Sequence, residues 1–323
     1  MDIETILESI EKKFGSGIIM RYGDLPKEEA DVIPTGIPAL DKALGIGGLP
    51  KGRVMEIYGP ESSGKTTLAL TILAESQKQG GQVAFVDAEM ALDPKYASSI
   101  GVDMDNVLLS QPDFGEQALE VVEALVRSGE ISVVVVDSVA ALTPRSELEG
   151  DMEANSIGVH AKLMSKALRK IVAAAAKNDC LVIFINQLRE KIGVMYGSPE
   201  VTTGGKALKF YASIRIDIRR IASLKDGESI IGNKTRIKII KNKLAPPHKE
   251  VEVDIIFGEG ISFESALLDA ALEEGVITKK GAWFAFNGKN IAQGRESARK
   301  LLKDKDLFKE VQDVLTAKKE GAN

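Results

Sequence analysis

An α/β fold built on a mostly parallel central sheet is what three features of this sequence predict. Four short apolar segments, RVMEIYG, QVAFVDAE, ISVVVVDS and CLVIFINQ, run without polar alternation, as strands do when helices cover both faces of the sheet. Amphipathic segments such as EQALEVVEALVR and VHAKLMSKALRKIVAAAAK fall between strands, the succession expected of parallel strand–helix units. Later segments, SIRIDIRR and TRIKIIKNK, alternate apolar with charged residues and lead into KEVEVDIIF. They predict an antiparallel extension with one wet face.

The ends of the chain add two appendages. Ile3, Ile6, Leu7, Ile10 and Phe14 form a helical stripe that Gly15-Ser16-Gly17 terminates. Few local partners exist for that stripe, so it must dock on the chain's own core or on another subunit. After Ile261 a helix, SALLDAALEEG, leads to the segments AWFAF and KNIA. Asn287-Gly288 joins them and supplies the positive φ of a tight hairpin. Two short charged helices finish the chain. The expected organisation is an N-terminal docking helix and strand over residues 1–33, a core over 34–260 and a small α/β domain over 261–323.

Composition limits the function classes. The 323 residues are 44% hydrophobic and 28% charged, enough for a real core. Forty-two Lys and Arg against forty-seven Asp and Glu leave a net charge of −5, so any nucleic-acid partner must be held by a local basic surface. The single Cys180 excludes an internal disulfide and is expected in the core, because it opens an apolar run. His160 and His248 are far apart and lack cysteine companions, which argues against zinc or haem. MDIETILESI has no basic segment followed by an apolar stretch, and no apolar run reaches the length of a membrane span. A cytoplasmic protein is the expectation.

The sharpest chemical signal is GPESSGKT, Gly59 to Thr66, which matches the phosphate-loop pattern between a strand and a helix. Glycines at Gly59 and Gly64 let the backbone N–H groups of Pro60-Glu61-Ser62-Ser63 and its neighbours close around phosphate oxygens, proline itself supplying none. Lys65 would reach the outer phosphates, the Thr66 hydroxyl would hold Mg²⁺, and Thr67 adds a donor. The other core strands end in polar residues: Asp87 and Glu89, Asp137 and Ser138, Asn186 and Gln187. Ligands of parallel sheets bind beyond the carboxyl ends of strands, so these groups should converge on the same phosphates. Asp137 suits a Mg²⁺ partner acting through water, Glu89 an orienter of attacking water, and Gln187 a sensor of the terminal phosphate. By residues alone a metabolic kinase, a helicase motor and a DNA-handling ATPase all remain open.

Directly after Gln187, KIGVMYGSPEVTTGGKALKFY follows no helical or strand period and reads as a long functional loop. From Arg189 to Arg220 seven basic residues, Lys191, Lys206 and Lys209 among them, face three acidic ones. Backbone N–H groups around Thr203-Gly204-Gly205 beside Lys206 suit phosphate oxygens. Lys241 and Lys243, two apart on an alternating strand, share one side, plainly read as a wet face.

GPESSGKTT, FVDAEMALDP, VVVVDSVAALTP, FINQLR, KIGVMYGSPEVTTGGKALKFYASIRIDIRR and KNKLAPP together resemble the bacterial RecA recombinase family, in the same order over nearly the whole chain. The resemblance implies a RecA-type P-loop ATPase core and an ATP- and Mg-using enzyme stimulated by DNA. It implies a helical filament on single-stranded DNA that pairs homologous duplex and exchanges strands in recombinational repair, with stimulation of LexA-type repressor self-cleavage in the SOS response. On matching positions it places Asp93 and Tyr96 beside the adenine, and DNA-binding loops at about Glu149 to Gly158 and Leu188 to Thr202. Ile157 and Ile192 would wedge between bases, with Lys162, Arg169, Arg189 and Lys191 on the same basic surface. Lys241 and Lys243 would reach a neighbouring subunit's ATP, Phe210 would link ATP to DNA at the subunit boundary, and the N-terminal stripe would dock on the adjacent subunit.

Four departures from the family pattern stand out. Met90 occupies a position where a histidine is expected, Lys206 one where an asparagine is, and Ala222 one where a glycine is common near the repressor groove. VLTAKKEGAN lacks an acidic tail, which puts in doubt self-inhibition of duplex binding by that route. Two rivals remain: a ring-forming helicase or repair ATPase, which should carry an added domain or zinc finger, and a non-enzymatic DNA-coating module, which intact Lys65, Glu89 and Asp137 oppose.

Overall fold

A computed structural model describes residues 2–21, 31–150, 158–190 and 200–320. The chain divides into two units, Met1–Asp31 and Val32–Asn323. The first holds helix α1 (Ile3–Phe14), closed by Gly15 at φ +103°. α1 buries none of its residues, and Ile3 and Phe14 remain 60% and 63% exposed.

The second unit opens with strand β1 (Val32–Ile33), helix α2 (Pro38–Leu44) and β2 (Leu49–Pro50), the two strands pairing across the helix. Strands and helices then alternate: β3 (Val54–Gly59), α3 (Lys65–Lys78), β4 (Gln82–Asp87), α4 (Pro94–Ile100) and β5 (Val107–Ser110). Next come α5 (Gly115–Arg127), β6 (Ile131–Asp137), α6 (Arg145–Leu148), α7 (Val159–Lys177) and β7 (Leu181–Glu190). β8 (Glu200–Thr202), α8 (Ala207–Tyr211), β9 (Ile214–Asp226), β10 (Ser229–Asn242), β11 (Glu250–Ile256) and β12 (Gly260–Ile261) complete the main layer.

Ten strands among the described residues form one sheet in the order β12-β11-β10-β9-β3-β7-β6-β4-β5, with β8 pairing β7 to the side. β9, β3, β7, β6, β4 and β5 run parallel to their neighbours, whereas β9 to β12 are joined by antiparallel ladders. Burial explains the split. All six residues of β3 are buried, and β6 is buried at every position but one. Apolar side chains therefore serve both faces: Met55 and Ile57 pack with Leu68 and Ile72 of α3, while Val54 and Phe184 pack with Met164 and Leu168 of α7. β10 instead alternates, with Ile237 and Ile239 buried and Lys234, Lys238 and Ile240 partly exposed.

A third cluster belongs to α9 (Phe263–Glu273), β13 (Ile277–Lys280), β14 (Trp283–Phe286), β15 (Lys289–Gln293), α10 (Arg295–Leu301) and α11 (Lys305–Glu320). Leu268, Ile277, Phe284 and Val311 form its core. The β14–β15 hairpin turns at Asn287 and Gly288, both at positive φ, as the Asn-Gly signal requires. Arg295 ties this module to the sheet through Asp254 at 3.0 Å, and Lys300 through Asp226 at 2.7 Å. No helix among the described residues is long and apolar enough to cross a membrane.

Candidate functional site

The turn between β3 and α3 is shaped by two crowded glycines. A Cβ on Gly59 would lie 2.1 Å from the Ile218 carbonyl oxygen, and one on Gly64 would lie 2.4 Å from the Ile255 side chain. Gly64 also adopts φ +95° where it caps α3, a conformation that favours glycine. Around this turn lies a cavity of about 230 Å³ lined by Ser62 to Thr67, Tyr96, Asn233, Thr235, Ile255 and Phe257. Lys65 folds into the turn and donates to the Pro60 carbonyl at 2.7 Å and the Gly59 carbonyl at 3.2 Å. Burial lowers its pKa, opposed by the carboxylates of Asp137, Glu89 and Glu61. Ser63 Oγ, Asn233 Oδ1 and Thr235 Oγ1 are buried without a hydrogen-bond partner. Orphaned buried acceptors and hydroxyls of this kind fit a polar ligand that supplies the missing bonds.

At the strand ends Glu89, Asp137, Ser138 and Gln187 converge, whereas Asn186, expected with them, is fully buried and turned onto Glu56 and the Thr203 carbonyl. Thr66 donates its hydroxyl to Asp137 Oδ2 at 2.6 Å. Asp137 is 8% exposed, and burial pushes its carboxyl up to about 6, against the Thr66 hydrogen bond that favours the charged form. Glu89 accepts from the Ser138 hydroxyl and, at 2.9 Å, from Gln187 Nε2. The backbone N–H groups of Ala88 and Glu89 both donate to the Asp137 carbonyl, which fixes the segment that carries Glu89. Tyr96 OH meets Thr67 Oγ1 at 2.8 Å, while the Asp93 carboxylate caps α4 on the Lys95 N–H. Asp87, grouped with this cluster from its strand-end position, instead accepts from the N–H groups of Ala91 and Leu92 and from Gln111. It shapes the turn after β4.

The loop side is less basic than the sequence count implied, by one charge, Glu56, since Glu200 and Asp217 belong to the counted segment. Arg215 is 7% exposed and ion-paired with Glu56 at 2.5 Å. Arg219 is clamped by both carboxylate oxygens of Glu200 and by Asp217. Its hydrogen bonds pull the Glu200 pKa down and raise its own. Arg215 is therefore no surface cation, because it meets a strand distant in sequence, while the partly exposed Arg219 is paired with carboxylates of its own segment. Lys162, Arg169, Arg189 and Lys206 are exposed, whereas Ile157, Lys191 and Ile192 lie outside the described residues. Thr203 is half-buried, and its carbonyl accepts from Asn186 Nδ2 at 3.0 Å. Gly204 and Gly205 have a packing reason besides any ligand: a Cβ would come within 2.9 Å of Val139 and 2.7 Å of Ala161 respectively. Beside them His160 has a buried Nε2 with no partner, and burial lowers its pKa.

Lys241 ends the alternating face of β10, and Lys243 lies just beyond the strand. Lys241 Nζ donates to the carbonyls of Lys209 at 2.8 Å and Phe210 at 3.1 Å, at the C-terminal end of α8. Its pKa is lowered by burial, with Lys243 and Arg215 adding repulsion. Phe210 is 68% exposed on that helix.

Sequence reasoning missed Asn233, Thr235, Ile255 and Phe257, which reach the cavity from β10, β11 and the residue after β11. A signal for two of them was present. Asn233 and Thr235 occupy the inward positions that Ile237 and Ile239 continue, and polar residues on a buried face need a partner.

A parallel sheet with a phosphate loop after its first long strand, and acid, hydroxyl and amide groups at the neighbouring strand ends, defines a phosphate-loop nucleotide-binding protein. The comparisons with known proteins narrow it. The profile of the RecA N-terminal domain matches residues 1–262 and that of the RecA C-terminal domain residues 265–319. The protein RecA of Streptomyces ambofaciens is 59% identical over 317 residues, 98% of this chain and 85% of its own length. That of Gluconobacter oxydans is 60% identical over 302 residues, covering 94% of this chain and 88% of its own length. The chain belongs to the RecA family, DNA-dependent ATPases that act as recombinases in DNA repair.

Proposed function

We propose that the loop Gly59 to Thr67 binds the phosphates of ATP and that hydrolysis there is controlled by single-stranded DNA. Lys65 would neutralise the outer phosphates; its present partners are two carbonyl oxygens of the same turn, which a phosphate can replace. Thr66 and Asp137 would hold Mg²⁺, Asp137 through water, and their 2.6 Å contact supports the pairing. Among the described residues no three His, Cys, Asp or Glu side chains gather as a metal site, so a cation here would draw most of its ligands from phosphate and water. Bound magnesium would neutralise phosphate charge. Tyr96 and Asp93 would border the base, with Asn233, Thr235 and Phe257 completing that pocket. Glu89 would orient the attacking water, held in place by Ser138.

One observation carries the link to DNA. Gln187 reaches Glu89 with its side chain while its own strand continues to the segment 191–199, so one residue touches both the hydrolytic centre and the base of the loop. Arg189, Lys191, Ile192, Thr203, Gly204, Gly205 and Lys206, with Ile157, Lys162 and Arg169, would hold the strand by phosphate contact and base wedging rather than by sequence.

On the same reading the chain self-assembles into a helical filament on single-stranded DNA and pairs it with homologous duplex. The exposed Ile3, Ile6 and Phe14 of α1 and the exposed Phe210 support subunit docking, and Lys241 and Lys243 would complete a neighbour's ATP site. Residues 1–33 would then be the docking element, 34–260 the ATPase core and 261–323 the accessory domain. Stimulation of a LexA-type repressor and a cytoplasmic location belong to this proposal as family expectations. ATP hydrolysis measured with and without oligo-dT tests it: strong stimulation with sigmoidal protein dependence is expected, along with its loss in Lys241→Ala/Lys243→Ala. Lys65→Ala should lower turnover by about 1,000-fold or more, the scale of removing a phosphate-binding charge. Turnover indifferent to DNA, or near normal in Lys65→Ala, would sink the reading.

A further inference from the structure

Glu56 lies in the middle of β3, 0% exposed, in a stretch otherwise built of Val, Met, Ile and Tyr. Each carboxylate oxygen has its own donor. Oε2 accepts from Arg215 Nε at 2.5 Å, and Oε1 accepts from Asn186 Nδ2 at 2.8 Å. The sheet aligns these groups: Glu56 is the register partner of Arg215 on β9, and Asn186 on β7 is the partner of Tyr58, two residues along the same face. The Arg215 guanidinium also lies over the Tyr58 ring at 4.6 Å.

Stability does not explain this arrangement, because a buried ion pair replaced by well-packed apolar side chains is often no less stable. What the pair does supply is direction. A side-chain amide has two ends of nearly equal shape, one donating and one accepting. An ionised carboxylate can only accept, so Glu56 forces the NH₂ end of Asn186 toward itself. The oxygen end of Asn186 then accepts from the Gln187 backbone N–H at 2.9 Å, and the second amide hydrogen goes to the Thr203 carbonyl at 3.0 Å. Gln187 opens the last stretch of β7, and Thr203 follows β8, which pairs with it from Leu188↔Thr202 onward. One oriented amide therefore grips both strands at the base of the hairpin and the residue whose side chain contacts Glu89.

We propose that Glu56 is a positioning residue for DNA-stimulated turnover: ion-paired with Arg215, it orients Asn186, which sets Gln187 and the hairpin base in one register. The inference rests on the reading of Gln187 as the link between the hydrolytic centre and the DNA loop. Glu56 is fully buried and does not line the phosphate-loop cavity, so its loss should separate basal from stimulated activity. In Glu56→Met/Arg215→Met no charge is left stranded, and the sheet has an apolar pair to pack.

The experiment compares the full-length chain with this double variant, with Glu56→Gln/Arg215→Met, which returns a neutral acceptor to Asn186, and with Asn186→Ala, which leaves the ion pair intact. The KM for ATP, turnover without DNA, turnover with oligo-dT and the urea unfolding midpoint are measured for each. In the Met/Met and Asn186→Ala variants the KM and DNA-free turnover should stay within about threefold of the parent, and the stimulation ratio should fall about tenfold. The Gln/Met variant should recover part of that ratio. Stimulation within twofold of the parent in Asn186→Ala, or in a folded Met/Met variant, overturns the proposal. So does an equal fall of basal and stimulated rates, which is the mark of general damage. A parent chain that DNA does not stimulate overturns the Gln187 reading itself, and this control tells the two failures apart.

Discussion

The two halves of the main sheet handle charge in opposite ways. In the parallel half, β3, β4 and β6 carry one charged residue each, Glu56, Asp87 and Asp137, all at most 8% exposed and all hydrogen-bonded. In the antiparallel half, charges recur along β10 and β11 and mostly pair across strands in contact with solvent, as Lys234 does with Glu252 at 2.7 Å and Lys238 with Glu250 at 3.5 Å. Asp254 is an exception, buried where Arg295 of α10 meets the sheet. The physical difference is solvation. A charge beneath helices on both faces must find a partner inside the protein. A charge on a one-sided sheet keeps water as its partner, and the ion pair adds little. The lesson is that charged residues in the parallel half mark positions where function or positioning outweighs the burial cost.

That contrast can be broken by substitution, and the largest effect is expected at the buried pair. Arg215→Ala leaves the Glu56 carboxylate without its cation in the core, and urea unfolding should show a loss of about 3–5 kcal/mol. A loss below about 1 kcal/mol would mean that water or Asn186 suffices, and the two halves would not differ in kind.

Asp137 gives the intermediate case. Its carboxyl is raised from the ordinary value of 3.8 to about 6, mainly by burial. Between those values the folded chain binds the proton more tightly than the unfolded chain does. This residue's contribution to nucleotide-free stability is therefore greatest below pH 3.8, falls as the pH rises through 6, and is unfavourable above it. The total change is about 3 kcal/mol. Asp137→Asn should remove that component and make the nucleotide-free protein more stable at pH 7.5 while abolishing efficient turnover. Thermal melts at pH 5 and pH 7.5 without nucleotide check the sign, and a destabilised variant at pH 7.5 would show that the Thr66 contact outweighs burial.

The smallest effect belongs to the wet face. Lys234→Ala should change the unfolding free energy by no more than about 0.5 kcal/mol and become indistinguishable from the parent in high salt. A larger effect in urea titrations would show that the cross-strand pair acts as a network, and it would sharpen the boundary between the halves.

Legibility followed the range of the interactions. Gly59 to Thr67 could be read because nine consecutive residues hold the whole device, from crowded glycines to the capped helix. Asp137, Glu89 and Gln187 could be read from one rule about strand ends, and Thr66, Ser138 and Gln187 do contact the two carboxylates. The count of basic residues after Gln187 was misleading by one charge, because it could not see Arg215 meet Glu56. Asp87 misled in the same way, being spent on the backbone of its own turn.

From residue order alone came the parallel and antiparallel strands, the phosphate loop, the hairpin at Asn287-Gly288 and the family. These depend on periodicity, turn chemistry and motifs spanning a few neighbouring residues. Which carboxylate each arginine meets, which polar side chains from β10 reach the cavity, and how Asn186 is oriented came from the folded chain. Glu56 and Arg215 stand 159 positions apart, and no local pattern encodes their contact. A strand's own sequence states which side chains point inward, but only the neighbouring strand and its register determine what they meet there.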